Sequence, residues 1–236
     1  MAWVELGRAA NGTALDDEVM AGLVEACVAV MDDDDARVMV LGSPGHDFCV
    51  GLPRGLVRPP EAWPDGVRAV AGVTKPVVAM LSGAVRGWGL ALALACDLRI
   101  ASTSAVLEAP EVRRGALPGA GVTQRLTRIV GPSRALAMVL LGEPLAARDA
   151  LAWGLVSQVV AGARLRMAAA VARGLASHGP VALRFAKEAV GRALDLPLDD
   201  GIRLEQDLYV LLQTTADRRE GIASFLERRP PRYEGR

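Results

Sequence analysis

The 236-residue sequence predicts an α/β fold, and a few short segments carry this prediction. Residues 37–43 (RVMVLGS) and 75–83 (KPVVAMLSG) are apolar runs that end in a glycine-containing turn, which indicates short buried strands. Residues 87–96 (GWGLALALAC) indicate an apolar helix opened by glycines, and residues 97–102 (DLRIAS) indicate a strand directly after it. Because a strand, a helix and a strand follow in quick succession, we predict a crossover unit with a parallel sheet.

Helices are predicted on both sides of this unit. Residues 16–34 carry apolar side chains at helical spacing, and Asp16 and Asp17 stand where a helix N-terminus favours acidic groups. From residue 119 onward the pattern changes to helical segments that each end at a glycine. These segments are 121–131, 132–142, 146–154 and 163–179. We therefore predict a sheet-and-helix part up to about residue 130, followed by a helical part.

Composition excludes several classes of protein. The chain has 27 basic and 27 acidic residues, so no excess charge favours a nucleic-acid partner. Its three cysteines form no CxxC pair and its two histidines offer little for zinc, so we expect a reducing, cytoplasmic location and no metal. The N-terminus lacks a signal-peptide layout, and the apolar runs are interrupted before about 18 residues, so no membrane span is predicted.

Two glycine-bearing turns are candidates for chemistry. One follows the predicted strand at 37–43 and contains Val50 and Gly51; the other opens a helix at Trp88 or Gly89. A helix start presents amide N–H groups and the positive end of its dipole. If the two turns lie side by side, two N–H groups converge on one oxygen and form an oxyanion hole that stabilises an enolate. Glycine-rich turns also serve simply to turn the chain, and spacing alone leaves both readings open.

Four segments together share the pattern of one known family: 75–102, 109–131, 142–160 and 180–190. The most specific of their motifs is LPGAGVTQRL at 117–126. The family that they resemble is the enoyl-CoA hydratase/isomerase (crotonase) family. The resemblance runs from about Asn11 to Arg232. It implies a crotonase-like spiral of ββα turns over residues 1–175 and a C-terminal helical trimerisation region over 176–236. It also implies an enzyme that takes an acyl-CoA thioester, needs no further cofactor, and assembles as a homotrimer or hexamer.

The same resemblance assigns the site. The thioester oxygen would lie between the backbone amides of Val50 and Trp88, and Glu111 would be the catalytic residue. The residues expected to contact substrate are Gly51, Gly87, Gly89, Pro118 and Gly119. Taken alone, Glu111 is more typical of a loop carboxylate that faces water, and it is the resemblance that favours the catalytic role. Cys49 is expected to be a core-lining thiol rather than a nucleophile.

The sequence also departs from the family pattern. Hydratases of the family use two glutamates, and Ala91 stands at the position of the first. Hydration needs both an acid and a base, so a single carboxylate favours proton shuttling of the isomerase type. Two alternatives stay open: a hydratase whose second acid comes from elsewhere, such as Glu108, and a non-catalytic acyl-CoA or acyl-carrier binding protein.

Three further residues differ from the family pattern. Trp88 stands where the family usually has a small glycine. Arg86 and Arg114 occupy positions that are usually aliphatic. A buried arginine needs a partner, which Glu108 or Glu111 could supply, and an Arg114–Glu111 pair would lower the pKa of Glu111.

Overall fold

The computed structural model describes residues 1–7, 13–53, 65–161 and 165–236. Its strands are β1 (Ala2–Glu5), β2 (Met39–Gly42), β3 (Val77–Leu81), β4 (Ala84–Arg86), β5 (Leu98–Ser102), β6 (Val106–Glu108), β7 (Leu145–Ala146) and β8 (Gln158–Val160). Its first helices are α1 (Asp17–Asp32), α2 (Gly66–Gly72), α3 (Trp88–Ala95), α4 (Val122–Val130) and α5 (Pro132–Leu141). The later helices are α6 (Ala147–Ala152), α7 (Leu165–Ala176), α8 (Pro180–Arg192), α9 (Leu198–Gln213) and α10 (Ala216–Glu227).

The larger sheet is parallel, as the crossover pattern predicts. It has five strands in the order β1-β2-β3-β5-β8, and every neighbouring pair is parallel. The crossover from β3 to β5 contains helix α3, and Val78 pairs with Leu98 in the register of these two strands. The predicted strands at 37–43, 75–83 and 97–102 are therefore confirmed.

Strand β3 is apolar throughout because both of its faces are covered. Val77, Ala79 and Leu81 belong to the main core, which helices α1, α2 and α3 also line. The alternate residues Val78 and Met80 face a second, smaller core that contains Ala172 of helix α7. A strand buried on both faces reads as a continuous apolar run rather than as an alternating one.

A smaller sheet carries part of the candidate site. Strand β4 runs parallel to β6, and β6 runs antiparallel to the two-residue strand β7. The register places Arg86 directly opposite Glu108. Cys49 forms an isolated parallel bridge with Val85, which attaches the turn after β2 to this sheet.

The predicted end of the sheet-containing part near residue 130 is wrong. Strands β7 and β8 follow that point, and β8 closes one edge of the larger sheet by pairing with β5. These strands have two and three residues, too few for an alternating pattern to be recognised. Helix α7 packs against the larger sheet through Ala172 and ends at Ala176, next to the predicted limit at residue 175. The division at that limit stays a prediction.

None of the helices within the described ranges is long and apolar enough to cross a membrane.

Candidate active site

The two predicted bends lie against each other. The Cys49 N–H donates to the Ala84 carbonyl at 3.0 Å, and the Arg86 N–H donates to the Cys49 carbonyl at 3.0 Å. Helix α3 begins immediately afterwards, and Gly89 faces the same turn. A Cβ added to Gly89 would lie only 2.6 Å from both the Cβ and the carbonyl oxygen of Cys49. This contact leaves room only for glycine.

Gly51 brings the first turn to the start of helix α3. Its φ is +94°, a conformation that glycine adopts readily. A Cβ on Gly51 would lie 3.1 Å from the Arg86 carbonyl oxygen and 3.8 Å from the Trp88 nitrogen. The structure therefore brings together Gly51, Trp88 and Gly89, as the resemblance predicts.

The Val50 amide already has a partner inside the chain. Its N–H donates to the Thr13 carbonyl at 2.9 Å, and the Leu15 N–H donates to the Gly51 carbonyl at 2.8 Å. Thr13 is itself held by its hydroxyl, which donates to the Leu6 carbonyl at 2.6 Å. A thioester oxygen at the Val50 N–H must therefore compete with Thr13. Sequence reasoning missed Thr13, because this contact joins segments far apart in the chain and leaves no local pattern.

Glu111 points into this cluster rather than into water. It begins a short 3-10 turn, Glu111–Arg114, directly after the buried Pro110. A Cβ added to Gly87, whose φ is +56°, would lie 2.5 Å from Glu111 Oε1. The other carboxylate oxygen, Oε2, is buried and has no hydrogen-bond partner among the described residues. The reading of Glu111 as a solvent-facing loop residue is therefore wrong.

The pKa of Glu111 is raised above the ordinary value of a glutamate. Burial is the largest cause, and the nearby charge of Glu108 acts in the same direction. A backbone hydrogen bond and the charge of Arg114 lower the pKa, but less than burial raises it. The expectation that Arg114 would be a buried arginine is wrong, because its side chain is exposed. The net effect on the pKa of Glu111 is upward, because its ionised form is poorly solvated.

Arg86 and Glu108 form an ion pair beside Glu111. The Arg86 Nε donates to Glu108 Oε1, and the Glu108 side chain is 10% exposed while that of Arg86 is 42% exposed. The Gly87 N–H also donates to the Glu108 carbonyl at 3.0 Å. Of the two partners that the sequence left open, Arg86 pairs with Glu108, and this pair satisfies the more deeply buried carboxylate.

The Trp88 indole packs on the 118–119 loop. A Cβ added to Gly119 would lie 2.9 Å from the indole Nε1 and 3.2 Å from Cε2. The preceding residue, Pro118, is buried. One helical turn after Trp88, Ala91 is fully buried in the main core. The position at which family hydratases carry their first glutamate therefore holds only a methyl group.

Cys49 is a core thiol, as expected. It is 0% exposed, and burial raises its pKa to about 12 despite a hydrogen bond from the Gly51 amide. Across the described ranges, no group of three or more His, Cys, Asp or Glu side chains could hold a metal ion.

A cavity of about 680 Å³ lies elsewhere, at the carboxyl ends of β1, β2, β3 and β5. It contains none of the predicted site residues. Its size alone would make it a candidate, but the convergence of Glu111, Gly87 and Trp88 is the stronger indication of chemistry.

Comparison with known proteins agrees with this geometry. The model of the family described as "Enoyl-CoA hydratase/isomerase" matches residues 1–236. The chain is 37% identical to the (E)-benzylidenesuccinyl-CoA hydratase of Thauera aromatica, covering 100% of this chain and 96% of that protein. It is 35% identical to the 2,3-dehydroadipyl-CoA hydratase of Escherichia coli, with 98% and 94% covered. The crystal structure of enoyl-CoA hydratase from Bacillus anthracis superposes with a TM-score of 0.95 at 32% identity, covering 99% and 95% of the two chains.

The parallel sheet, the paired bends and these neighbours define an α/β protein of the crotonase fold. The chain belongs to the enoyl-CoA hydratase/isomerase family.

Proposed function

We propose that this protein binds acyl-CoA thioesters and moves a proton along the acyl chain through an enolate, with Glu111 as the only proton carrier. The position of Glu111 is the observation that supports this most. One oxygen of its carboxylate lies against Gly87 at the second bend, and the other is buried without a partner. A carboxyl group with a raised pKa is suited to both taking and returning a proton near neutral pH.

The two bends would stabilise the enolate. In this proposal the thioester oxygen accepts from the N–H groups of Val50 and Trp88, next to the positive end of the helix α3 dipole. Gly51, Gly87 and Gly89 let the backbone approach the ligand, and the loop of Pro118 and Gly119 completes the wall. Because the Val50 N–H donates to the Thr13 carbonyl, a thioester oxygen would have to share this donor or replace Thr13 at it.

Bond migration is the reaction that one carboxylate supports best. Glu111 would remove the proton between the thioester carbonyl and a neighbouring double bond, which leaves the electron pair delocalised onto the thioester oxygen. The double bond would then shift into conjugation as Glu111 returns the proton to the far carbon. No second acid is required, which agrees with the methyl group at Ala91.

Hydration is the second candidate, and one observation favours it: both relatives described above are named hydratases. Glu108 is the nearest second carboxylate, close enough to raise the pKa of Glu111. Its carboxylate already accepts from Arg86, so in this second candidate it would orient a water molecule rather than donate a proton.

We also propose that the C-terminal helices form a homotrimer or hexamer. Helices α9 and α10 expose large apolar side chains, among them Val210 (62%), Phe225 (82%) and Leu226 (74%). Apolar surface of this kind is typical of an oligomer interface. The three buried free cysteines agree with a reducing compartment such as the cytoplasm.

A panel of 2-enoyl- and 3-enoyl-CoA esters in deuterated water tests the reaction. Mass spectrometry of product and label position separates bond migration, hydration, exchange alone and binding without chemistry. We expect bond migration, and we expect Glu111→Gln to reduce turnover by about 10²- to 10⁴-fold with nearly unchanged ester affinity. Glu25→Gln, which alters an exposed carboxylate on helix α1, is the matched control.

Full turnover in the Glu111→Gln variant would refute the assignment. If the wild type hydrates the ester and Glu108→Gln loses this activity, the reaction is hydration, the second candidate, rather than bond migration. Tight ester binding without label exchange would instead identify a non-catalytic binding protein.

A further inference from the structure

Trp88 places a large side chain at the second bend of the proposed acyl site. Its backbone lies between Gly87, where an added Cβ would meet Glu111, and Gly89, where an added Cβ would meet Cys49. Its indole packs on Gly119, so close that a Cβ added there would lie 2.9 Å from the indole Nε1. The same residue therefore offers its backbone N–H at the second bend and places its ring against the 118–119 loop.

The residue one helical turn away has the opposite character. Trp88 and Ala91 are three positions apart on helix α3, so their side chains project on the same side of the helix. Ala91 is completely buried, and the half-buried indole packs against the main core. Position 88 thus carries a large aromatic side chain, and position 91, one turn along the same helix, carries only a methyl group.

We infer that the Trp88 indole determines specificity by closing the acyl site along Gly119, so that the site takes short acyl chains and rejects long ones. This inference rests on the proposed acyl-CoA function. The physical basis is close packing: the ring lies against the main core on helix α3 and against Gly119, so a longer acyl chain cannot displace it without a shift of neighbouring groups. Atoms of the acyl group beyond the reacting carbons would then meet the ring on that side.

Ligand affinity tests this without requiring turnover. Dissociation constants of butyryl-CoA and octanoyl-CoA would be measured by calorimetry for the wild type, Trp88→Ala and Trp88→Phe. Trp88→Ala removes the ring, keeps the backbone N–H and preserves a good helix former at the start of helix α3. Four further methylenes contribute at most about 200-fold in affinity, at about 0.8 kcal/mol each.

We expect the wild type to bind octanoyl-CoA no more tightly than butyryl-CoA. In Trp88→Ala the ratio of octanoyl-CoA affinity to butyryl-CoA affinity should rise by about tenfold or more, because part of the four extra methylenes becomes buried in the space that the ring vacates. Trp88→Phe retains a ring and should keep a ratio near that of the wild type. Trp88→Leu replaces the alanine variant if that variant does not fold, as judged from circular dichroism.

An octanoyl-to-butyryl ratio that is the same in wild type and Trp88→Ala would overturn this inference while leaving the proposed function intact. A wild type that already favours octanoyl-CoA by tenfold would also overturn it. Failure of both esters to bind to any variant would instead refute the proposed function.

Discussion

Gly89→Ala tests whether catalysis depends on direct contact between the two bends. The added Cβ would lie 2.6 Å from the Cβ and the carbonyl oxygen of Cys49 and 2.8 Å from its sulfur. The carbonyl oxygen belongs to the backbone and accepts from the Arg86 N–H, so it cannot rotate away. To reach the ordinary contact distance of 3.4 Å, helix α3 and the turn must separate by about 0.8 Å.

Two opposing terms set the effect on stability. Overpacking in a close-packed core costs about 1–3 kcal/mol. Alanine is favoured over glycine inside a helix by up to about 1 kcal/mol, which offsets part of this cost. We expect a net loss of up to about 2 kcal/mol in the free energy of unfolding. The effect on activity should be larger, because a displacement of about 1 Å in a catalytic site reduces the rate by about 100-fold.

Urea unfolding and kcat/KM with the best enoyl-CoA ester measure both effects. Gly22→Ala is the matched control, since Gly22 is an exposed glycine inside helix α1 and an added Cβ would meet nothing within 4 Å. That variant should gain up to about 1 kcal/mol in stability and keep full activity. If Gly89→Ala keeps the kcat/KM of the wild type, or if the two variants lose kcat/KM equally, catalysis does not depend on the contact between the bends.

Three further results are expected. Because burial raises the pKa of Glu111, the acid limb of the plot of kcat against pH should lie above the ordinary glutamate range and vanish in Glu111→Gln; an acid limb within the ordinary range would contradict this. Between the ordinary glutamate pKa and the raised pKa, the wild type should lose stability as pH rises, because the unfolded chain releases the proton first, and Glu111→Gln should not. Arg86→Leu should lower the free energy of unfolding in urea by about 1–3 kcal/mol, more than Glu108→Gln does. The reason is that Arg86→Leu leaves the less exposed partner, Glu108, without its ion pair, and equal losses in the two variants would contradict the pairing. The Cys49 thiol, with a pKa near 12, and the other two buried cysteines should resist Ellman's reagent until the chain unfolds, and rapid labelling of the native protein would show otherwise.

The parts of the fold that sequence could predict are those with strong local patterns. Strand β3 and helix α3 are apolar throughout and end at turn residues, and helix α1 has the acidic N-terminus that its sequence suggests, with Asp16 accepting from the Val19 N–H at 2.9 Å. Strands β7 and β8 were not predictable, because their few residues gain their structure from pairing with β6 and β5 rather than from their own side chains.

In the candidate site, too, locally encoded features could be predicted from the sequence and long-range contacts could not. Glycines at positions 51, 87 and 89 suggest close backbone approach. The structure gives Gly87 and Gly89 contacts that exclude a side chain, and it gives Gly51 a φ of +94° that favours glycine. The exposure of Arg114 could not be read from the sequence, because it depends on where the 3-10 turn leaves the core. The Val50–Thr13 hydrogen bond is likewise a long-range contact, and it shows that a donor assigned by resemblance can have a competing partner within the chain.

The surroundings of Glu111 support a proposed base whose pKa is raised more by burial than by a neighbouring charge. The negative charge of Glu108 also raises the pKa of Glu111, but less than burial does. Glu108 itself pairs with Arg86 across strands β4 and β6. Ala91 adds only a methyl group to the buried core, one helical turn from the partly buried Trp88. A site with one desolvated carboxylate and a compensated ion pair is suited to moving a proton between two carbons, which needs no net change in the charge of the protein.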